Sequence, residues 1–410
     1  MRRTRLGAVF AALLLVGVAA GCWPQEGFDA SRSGFSPLES TLTAASVGGL
    51  TRAWGTSAGA STTPVVVGGS VFAGAGDAVE AFDTATGVVR WTTHNNDFES
   101  SGLVGVVGPL SAVGGDVLAP VNWGGLGGLF TFDDASGMRT GSAQFHSLIL
   151  GSVAERSDAS AIVGFSFGSG GPFITTLGYG THQAILDFGS VGGAQAAVTS
   201  PTMIGRHVLV GVNNTIESFS LDTCVPVPPP LPSYYCAPEW SATVPAAPRD
   251  PAAIGTTAAA IGLANGDVAV LGVATGALQW TAHTGSTAAT APAVANGHLY
   301  VGAGDGHLYA FPTAGCGQAT CAPEWSGATA SGAAVSHQPA AAADVVYVGT
   351  STGSVYAFAG AGCGSASCPS LWSGAVNPSG PAAPVAGPVV SLGTVYASAG
   401  GTVAAFRLAH

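Results

Sequence analysis

Lysine is absent from this chain, and charged residues of either sign make up only 8% of its 410 positions, against about 25% in an average soluble protein. Without lysine there is no amine for Schiff-base chemistry. A net charge of −11 with scattered arginines excludes a nucleic-acid-binding stripe, which needs clustered positive charge to displace counterions. No two cysteines are adjacent, and no Cys-x-x-Cys-His haem attachment is present. Long helical periodicity is missing, and the apolar runs after residue 22 fall short of the nine or so residues a membrane-spanning strand needs.

Glycine and proline are abundant instead, at 62 and 25 residues, as a chain of many turns requires. Between the turns a single phrase repeats. Pro64–Trp91 reads PVVVGGSVFAGAGDAVEAFDTATGVVRW, and edited copies begin at Ala291, Gln338 and Ala383. Each copy holds short Val-, Tyr- and Phe-rich runs of strand length. Gly68-Gly69, Asn296-Gly297 and Asp305-Gly306 lie between such runs and mark tight hairpins, because those turns need positive φ. A further turn, Thr86-Gly87 or Thr275-Gly276, leads to a last strand expected to end at Trp91 or Trp280. The prolines opening each unit, at 64, 109, 201, 251, 292, 339 and 384, recur mostly at steps of about 41 to 50 residues, the range of propeller blades. One double step hides a degenerate copy, assigned to 161–167, 173–177 and 184–188.

The expectation is therefore an all-β, eight-bladed β-propeller of four-stranded antiparallel blades, forming a single domain over residues 50–410. The eighth unit lacks a Trp strand, and a surplus one, Leu50–Trp54, precedes the first. That N-terminal strand is expected to complete the last blade and close the ring, limiting exposed edges. Residues 22–49 read as an irregular, turn-rich segment crossing one face.

Residues 1–21 read as an export signal, with Arg2, Arg3 and Arg5 ahead of a short apolar run. Ala19-Ala20-Gly21-Cys22 resembles a bacterial lipobox, which makes Cys22 the expected lipid attachment site and outward-facing membrane anchor; cleavage near Ala20 and secretion is the alternative. The other six cysteines fall into local pairs: Cys224/Cys236, Cys316/Cys321 and Cys363/Cys368. In each pair the first cysteine follows Ser218, Ala310 or Ala357 by six residues, and the second precedes Trp240, Trp325 or Trp372 by four. All three pairs thus sit at one enlarged turn between third and fourth strands. Disulfides in an exported chain outweigh zinc, which needs four converging ligands.

Ala81–Trp91 resembles the tryptophan-docking motif of quinoprotein (pyrroloquinoline-quinone repeat) propellers, Ala-x-Asp-x-x-Thr-Gly-x-x-x-Trp. Val270–Trp280 keeps the Thr-Gly and the Trp, with Gly272 in place of the Asp. Arg32, Ser36-Pro37-Leu38 and Leu50–Trp54 are similar to the segment that precedes the ring in that family. The resemblance implies eight blades, with Trp54, Trp91, Trp240, Trp280, Trp325 and Trp372 each packed between neighbours. Dehydrogenases of the family also use a vicinal disulfide beneath the quinone and a calcium held by acidic and amide groups, and this chain offers no matching positions. The closer analogy is the cofactor-free, lipid-anchored branch that includes the propeller lipoprotein of outer-membrane protein assembly.

Other motifs have simpler structural explanations. Gly164-Phe165-Ser166-Phe167-Gly168 matches a nucleophile elbow in sequence, but β-rich surroundings deny it the strand-to-helix turn the motif needs. Gly302–Gly306 lacks the helix of a phosphate loop and fits a hairpin. His298 and His307 are expected to meet across that hairpin as a surface pair rather than a metal site. Asn213-Asn214-Thr215 fits a glycosylation sequon, and Pro226–Pro232 reads as a stiff exposed loop.

The functional expectation is a monomeric, non-enzymatic envelope scaffold for a protein or glycan, without metal or cofactor. The alternative is a diverged dehydrogenase using pyrroloquinoline quinone and calcium on alcohols or sugars. A polysaccharide hydrolase with an unlocated carboxylate pair is a weaker third.

Overall fold

The computed structural model describes residues 22–94, 105–145, 148–149, 151–155, 161–168, 171–178, 184–188, 198–220, 222, 225–226, 234–329 and 332–409. Among these the protein is all-β, and its helical content is one 3₁₀ turn, Val47–Gly49. The strands form eight sheets built on antiparallel four-strand meanders. Sheet one is Val65–Val67, Ser70–Ala75, Ala78–Asp83 and Val89–His94. Its second strand, SVFAGA, is buried on both faces, whereas its fourth, VRWTTH, alternates between half-buried and exposed. Apolar content thus falls from the middle of the sheet to its outer edge, as in a sheet stacked between two others.

The same order repeats down the chain. The degenerate copy supplies Ala161–Gly168, Gly171–Gly178 and Ala184–Phe188 to sheet three. Gly168 pairs with Gly171 at the end of the copy's first hairpin. In sheet two a fourth strand, Arg139–Phe145, follows Asp133 although it carries no tryptophan to announce it. The eighth sheet combines Val389–Ser391, Thr394–Ala399 and Gly401–Leu408 with Leu50–Ala60, which pairs antiparallel with Gly401–Leu408.

Two details differ from the sequence reading. The tryptophan does not end the fourth strand: in Val89–His94 and Leu278–His283 it is the third residue, and Leu50–Ala60 runs well past Trp54. Alternating Thr and small residues beyond the Trp keep a pleated, half-exposed pattern that sustains pairing. A register shift also recurs beside the tryptophan or its equivalent, at Ala81/Phe82, Thr131/Phe132, Ser218/Phe219 and Val270/Leu271. Such bulges bend and twist an edge strand.

First strands lie side by side in succession: Val65–Val67 by Ser111–Val113, and Thr202–Ile204 through Ala252–Ile254, Ala293–Ala295 and Ala340–Ala342 to Val389–Ser391. The segment 23–36 threads along them by main-chain hydrogen bonds. Trp23 exchanges bonds with Val66, the Pro24 carbonyl accepts from Ala112, Ala30 from Met203, Ser31 from Ala253, Ser33 from Val294, and Gly34 from Ala341. One short segment therefore touches six sheets. Phe35–Ser36 then adds a parallel strand to Ala340–Ala342, and the Glu39 carboxylate accepts from the Gly393 amide in sheet eight.

Candidate functional site

The distinctive chemistry lies at the junctions between successive sheets, where a tryptophan of one sheet docks on a turn of the next. Five of these turns present a glycine at positive φ. A Cβ there would stand 2.5 Å from the Trp54 ring at Gly87, 2.5 Å from Trp91 at Gly137, and 2.4 Å from Trp240 at Gly276. It would stand 3.2 Å from Trp280 at Gly315 and 2.7 Å from Trp325 at Gly362. Both the left-handed backbone and the absent side chain are needed. The sixth ring, Trp372, packs edge-on against Phe406.

The junctions come in two chemistries. At the short turns the indole N–H donates to a main-chain carbonyl: Trp54 to Thr84 at 2.9 Å, Trp91 to Asp134 at 3.1 Å, Trp240 to Val273 at 2.7 Å. Trp372 donates to Leu50 at 2.9 Å, at the step from sheet seven to sheet eight. Where the Asp is present it orders the turn. Asp83 accepts from the Ala85 and Thr86 amides, the Thr86 hydroxyl and the Arg90 guanidinium, at 2.7 to 3.0 Å. Arg90, then Thr86, hold the Asp83 carboxyl down to about 2. The Ser136 hydroxyl and amide lower the Asp133 carboxyl in the same way.

At Trp280 and Trp325 the turn is instead a loop closed by a disulfide, Cys316–Cys321 or Cys363–Cys368. Each loop reaches back to the outer strand of the preceding sheet and pairs with it in parallel, Thr320–Cys321 with Thr281–Ala282 and Ser367 with Ser326. The backbone of Tyr234–Cys236 does the same to Asp187–Phe188. The pair Cys224/Cys236 and the loop Pro226–Pro232 fall largely outside the described residues. The stapled loops cover their tryptophans: Trp280 and Trp325 are 6% and 3% exposed, while the four carbonyl-bonded rings are half-buried. They also shift the ring. Gly87, Gly137 and Gly276 face the benzene side of the indole, whereas the pyrrole side lies over Gly315 and Gly362. The Trp325 Nε1 is buried without an acceptor.

The remaining candidates are dispersed. His298 and His307 do not meet. His298 lies opposite Pro312 and pairs with Glu324 at 3.1 Å, while His307 lies opposite Ala328 beside Asp305 at 3.4 Å. The hairpin is five residues deep on the His298 side, which carries the two rings to different partners. Ser166 sits mid-strand opposite Phe173, and the next described element is the strand Gly171–Gly178. Gly302–Gly306 forms the expected turn, with Gly306 at φ +83°. Asn213, at φ 52°, occupies the turn before Thr215–Ser220. Cys22 is buried, its thiol pushed up by burial against an opposing Gly68 hydrogen bond.

Sequence reasoning passed over two polar centres in the segment 22–49. Arg32, 1% exposed at φ 51°, lies 3.2 Å from Asp250 and 3.8 Å from Glu26, and donates to Ser152 and the Pro201 carbonyl. Nearby, Trp23, Glu26, Thr63, His337 and Gln338 line a cavity of about 20 Å³, room for one water. The sequence marks Arg32 only as part of the segment that resembles the one preceding the ring in quinoprotein propellers, and gives no sign of its partners.

Among the described residues no three His, Cys, Asp or Glu side chains converge as a metal site. No two cysteines of the chain are adjacent, and the first strands of six sheets are bonded to the segment 23–36.

Repeated meanders, docked tryptophans and successive first strands define a β-propeller. Residues 236–410 match the family model described as outer membrane protein assembly factor BamB. The quinohemoprotein alcohol dehydrogenase ADHIIG of Pseudomonas putida HK5 is similar over 95% of this chain and 80% of its own, at 15% identity and TM-score 0.68. The computationally designed Ika8 protein aligns over 87% and 98%, at 18% identity and TM-score 0.65. BamB from Moraxella catarrhalis aligns over 88% and 98%, at 15% identity and TM-score 0.60. No curated protein matches. The solved structures show the β-propeller fold, and the likeness to a PQQ-repeat family model lies in residues 236–410.

Proposed function

We propose that this protein is an exported, lipid-anchored propeller whose eight blades close into a ring through Leu50–Ala60, and that it works as a non-enzymatic scaffold for a protein or glycan at the cell envelope. One observation carries the reading: the segment 23–36 bonds to the first strands of six sheets, so the chain itself occupies the surface where a propeller would otherwise gather groups around a small substrate. Turns and outer strands are left as the surfaces for partners. The similarity to BamB supports an envelope role, and Cys22 supplies the anchor. Lipidation requires Cys22 to turn away from Gly68; because Trp23 is fixed on Val66 at 2.8 Å, that movement is confined to one residue.

Two measurements test this. Cells expressing the chain are labelled with an alkynyl fatty acid and fractionated; label and membrane retention are expected, and both are lost in Cys22→Ser. In vivo crosslinking then identifies the bound envelope component. Soluble, unlabelled wild-type protein would remove the anchor, and no crosslinked component would remove the scaffold. The competing reading, a quinone-dependent dehydrogenase, draws on the likeness to ADHIIG; dye reduction by alcohols or sugars after adding pyrroloquinoline quinone and calcium would establish it instead.

A further inference from the structure

Resting on the scaffold reading, we propose that the cleft between the His298–Glu324 pair and the stapled loop 361–366 receives a main-chain carbonyl of an extended polypeptide carrying a basic side chain. The cleft has a volume of about 410 Å³ and is lined by His298, Glu324, Trp325, Gly362, Cys363 and Ser365, among others, a size typical of ligand sites. Four of the six docked indoles give their N–H to a main-chain carbonyl of the chain itself. At Trp325 the stapled loop has displaced that carbonyl. The ring is 3% exposed, its buried Nε1 has no acceptor and lies 3.0 Å from where a Gly362 Cβ would be, and both residues line the cleft. A buried N–H without a partner is costly, and the cheapest remedy is the group that serves its four counterparts.

The charge of the site selects the neighbouring side chain. Glu324 is half-exposed and engages His298 through one oxygen, Oε2 at 3.1 Å; His298 Nδ1 lies 3.2 Å from the Asn296 carbonyl. The second carboxylate oxygen is left to a cation, in a protein of net charge −11. A sugar ring fits less well, because Gly362 and Tyr300 cover the indole faces on which it would stack. One sheet earlier the equivalent cleft, about 350 Å³ beside Trp280, carries Gln279 and Gln318 and no acid, so it lacks the basic preference.

The test uses purified protein labelled with ¹⁵N at the tryptophan indoles. It is titrated with acetyl-Gly-Arg-Gly-amide, acetyl-Gly-Glu-Gly-amide or maltotriose up to about 10 mM, the range for single-contact ligands. The arginine peptide is expected to move the Trp325 indole resonance saturably and to leave Trp54, Trp91, Trp240 and Trp372 in place. Glu324→Gln, on a half-exposed side chain that leaves the fold intact, is expected to weaken that peptide about fivefold or more. No shift at Trp325, an equal shift with the glutamate peptide, a shift with maltotriose instead, or unchanged affinity in Glu324→Gln would each overturn the assignment. A crosslinked envelope partner without arginine-peptide binding removes this cleft and leaves the scaffold standing; loss of both removes the scaffold too.

Discussion

The junction at Trp54 and the junction at Trp325 perform one task with opposite means. At Trp54 a short turn is held by Asp83 and Arg90, and the indole, half-buried, is tied by a bond to Thr84. At Trp325 a disulfide holds a larger loop that covers the ring and pairs with the outer strand, and the indole bond is lost. Polar order has been exchanged for covalent order plus burial. The two kinds of junction should therefore differ in which perturbation loosens them.

Truncating the ring has the largest expected effect and separates the two at once. Trp325→Ala removes a fully buried side chain and should cost about 3–5 kcal/mol. Trp54→Ala removes a half-exposed one and should cost about 2 kcal/mol. Denaturant unfolding of both variants checks the order; equal losses would mean that the loop adds no burial of consequence.

Opening the staple comes next. Replacing Cys363 and Cys368 by serine should cost about 2 kcal/mol, the loop-closure value for so short a loop. Hydrogen exchange should rise at Ser326 and Cys368, whose amides donate across the junction to the Ala366 and Ser326 carbonyls, and stay unchanged in Val89–His94. Trp325→Phe and Trp54→Phe then isolate the indole bond. Both keep an aromatic ring in place, but only Trp54 gives up an N–H···O bond, so Trp54→Phe should exceed Trp325→Phe by about 1 kcal/mol.

How much of this was legible follows from the range of each interaction. Hairpins, alternating strands and docking tryptophans are local, and Gly87 or Thr275-Gly276 announce them within a dozen residues. Sheet pairing of Leu50–Trp54 with the C-terminal strand could be read because a repeat with a missing strand points to its complement. The path of 23–36 could not be read, since Ser31 and Ser33 bond through their main chains and leave no side-chain signature. The same limit hid the cleft at Trp325: cysteine spacing locates the loop, but the shift of the ring over Gly362 is a matter of packing. The separation of His298 from His307 was misread because strand pairing, and not closeness in sequence, sets which side chains face each other.

Acid distinguishes the two junctions with the smallest effect. The Asp83 carboxyl is held to about 2, first by Arg90 and then by the Thr86 hydroxyl and amide, whereas a free aspartate titrates near 3.9. Its folded value is depressed, so its contribution is complete above about pH 4 and is lost as pH falls toward 2. Because Asp83 and Arg90 are solvent-exposed, screening limits that contribution to about 1 kcal/mol or less. The Cys363–Cys368 staple does not titrate in this window. Hydrogen exchange between pH 5 and 2 should therefore show protection falling at Thr86 and Gly87 faster than at Cys368, after correction for the intrinsic rate. In Asp83→Asn the first trend should flatten. A parallel fall at both junctions would mean that Asp83 orders its turn by shape and not by charge.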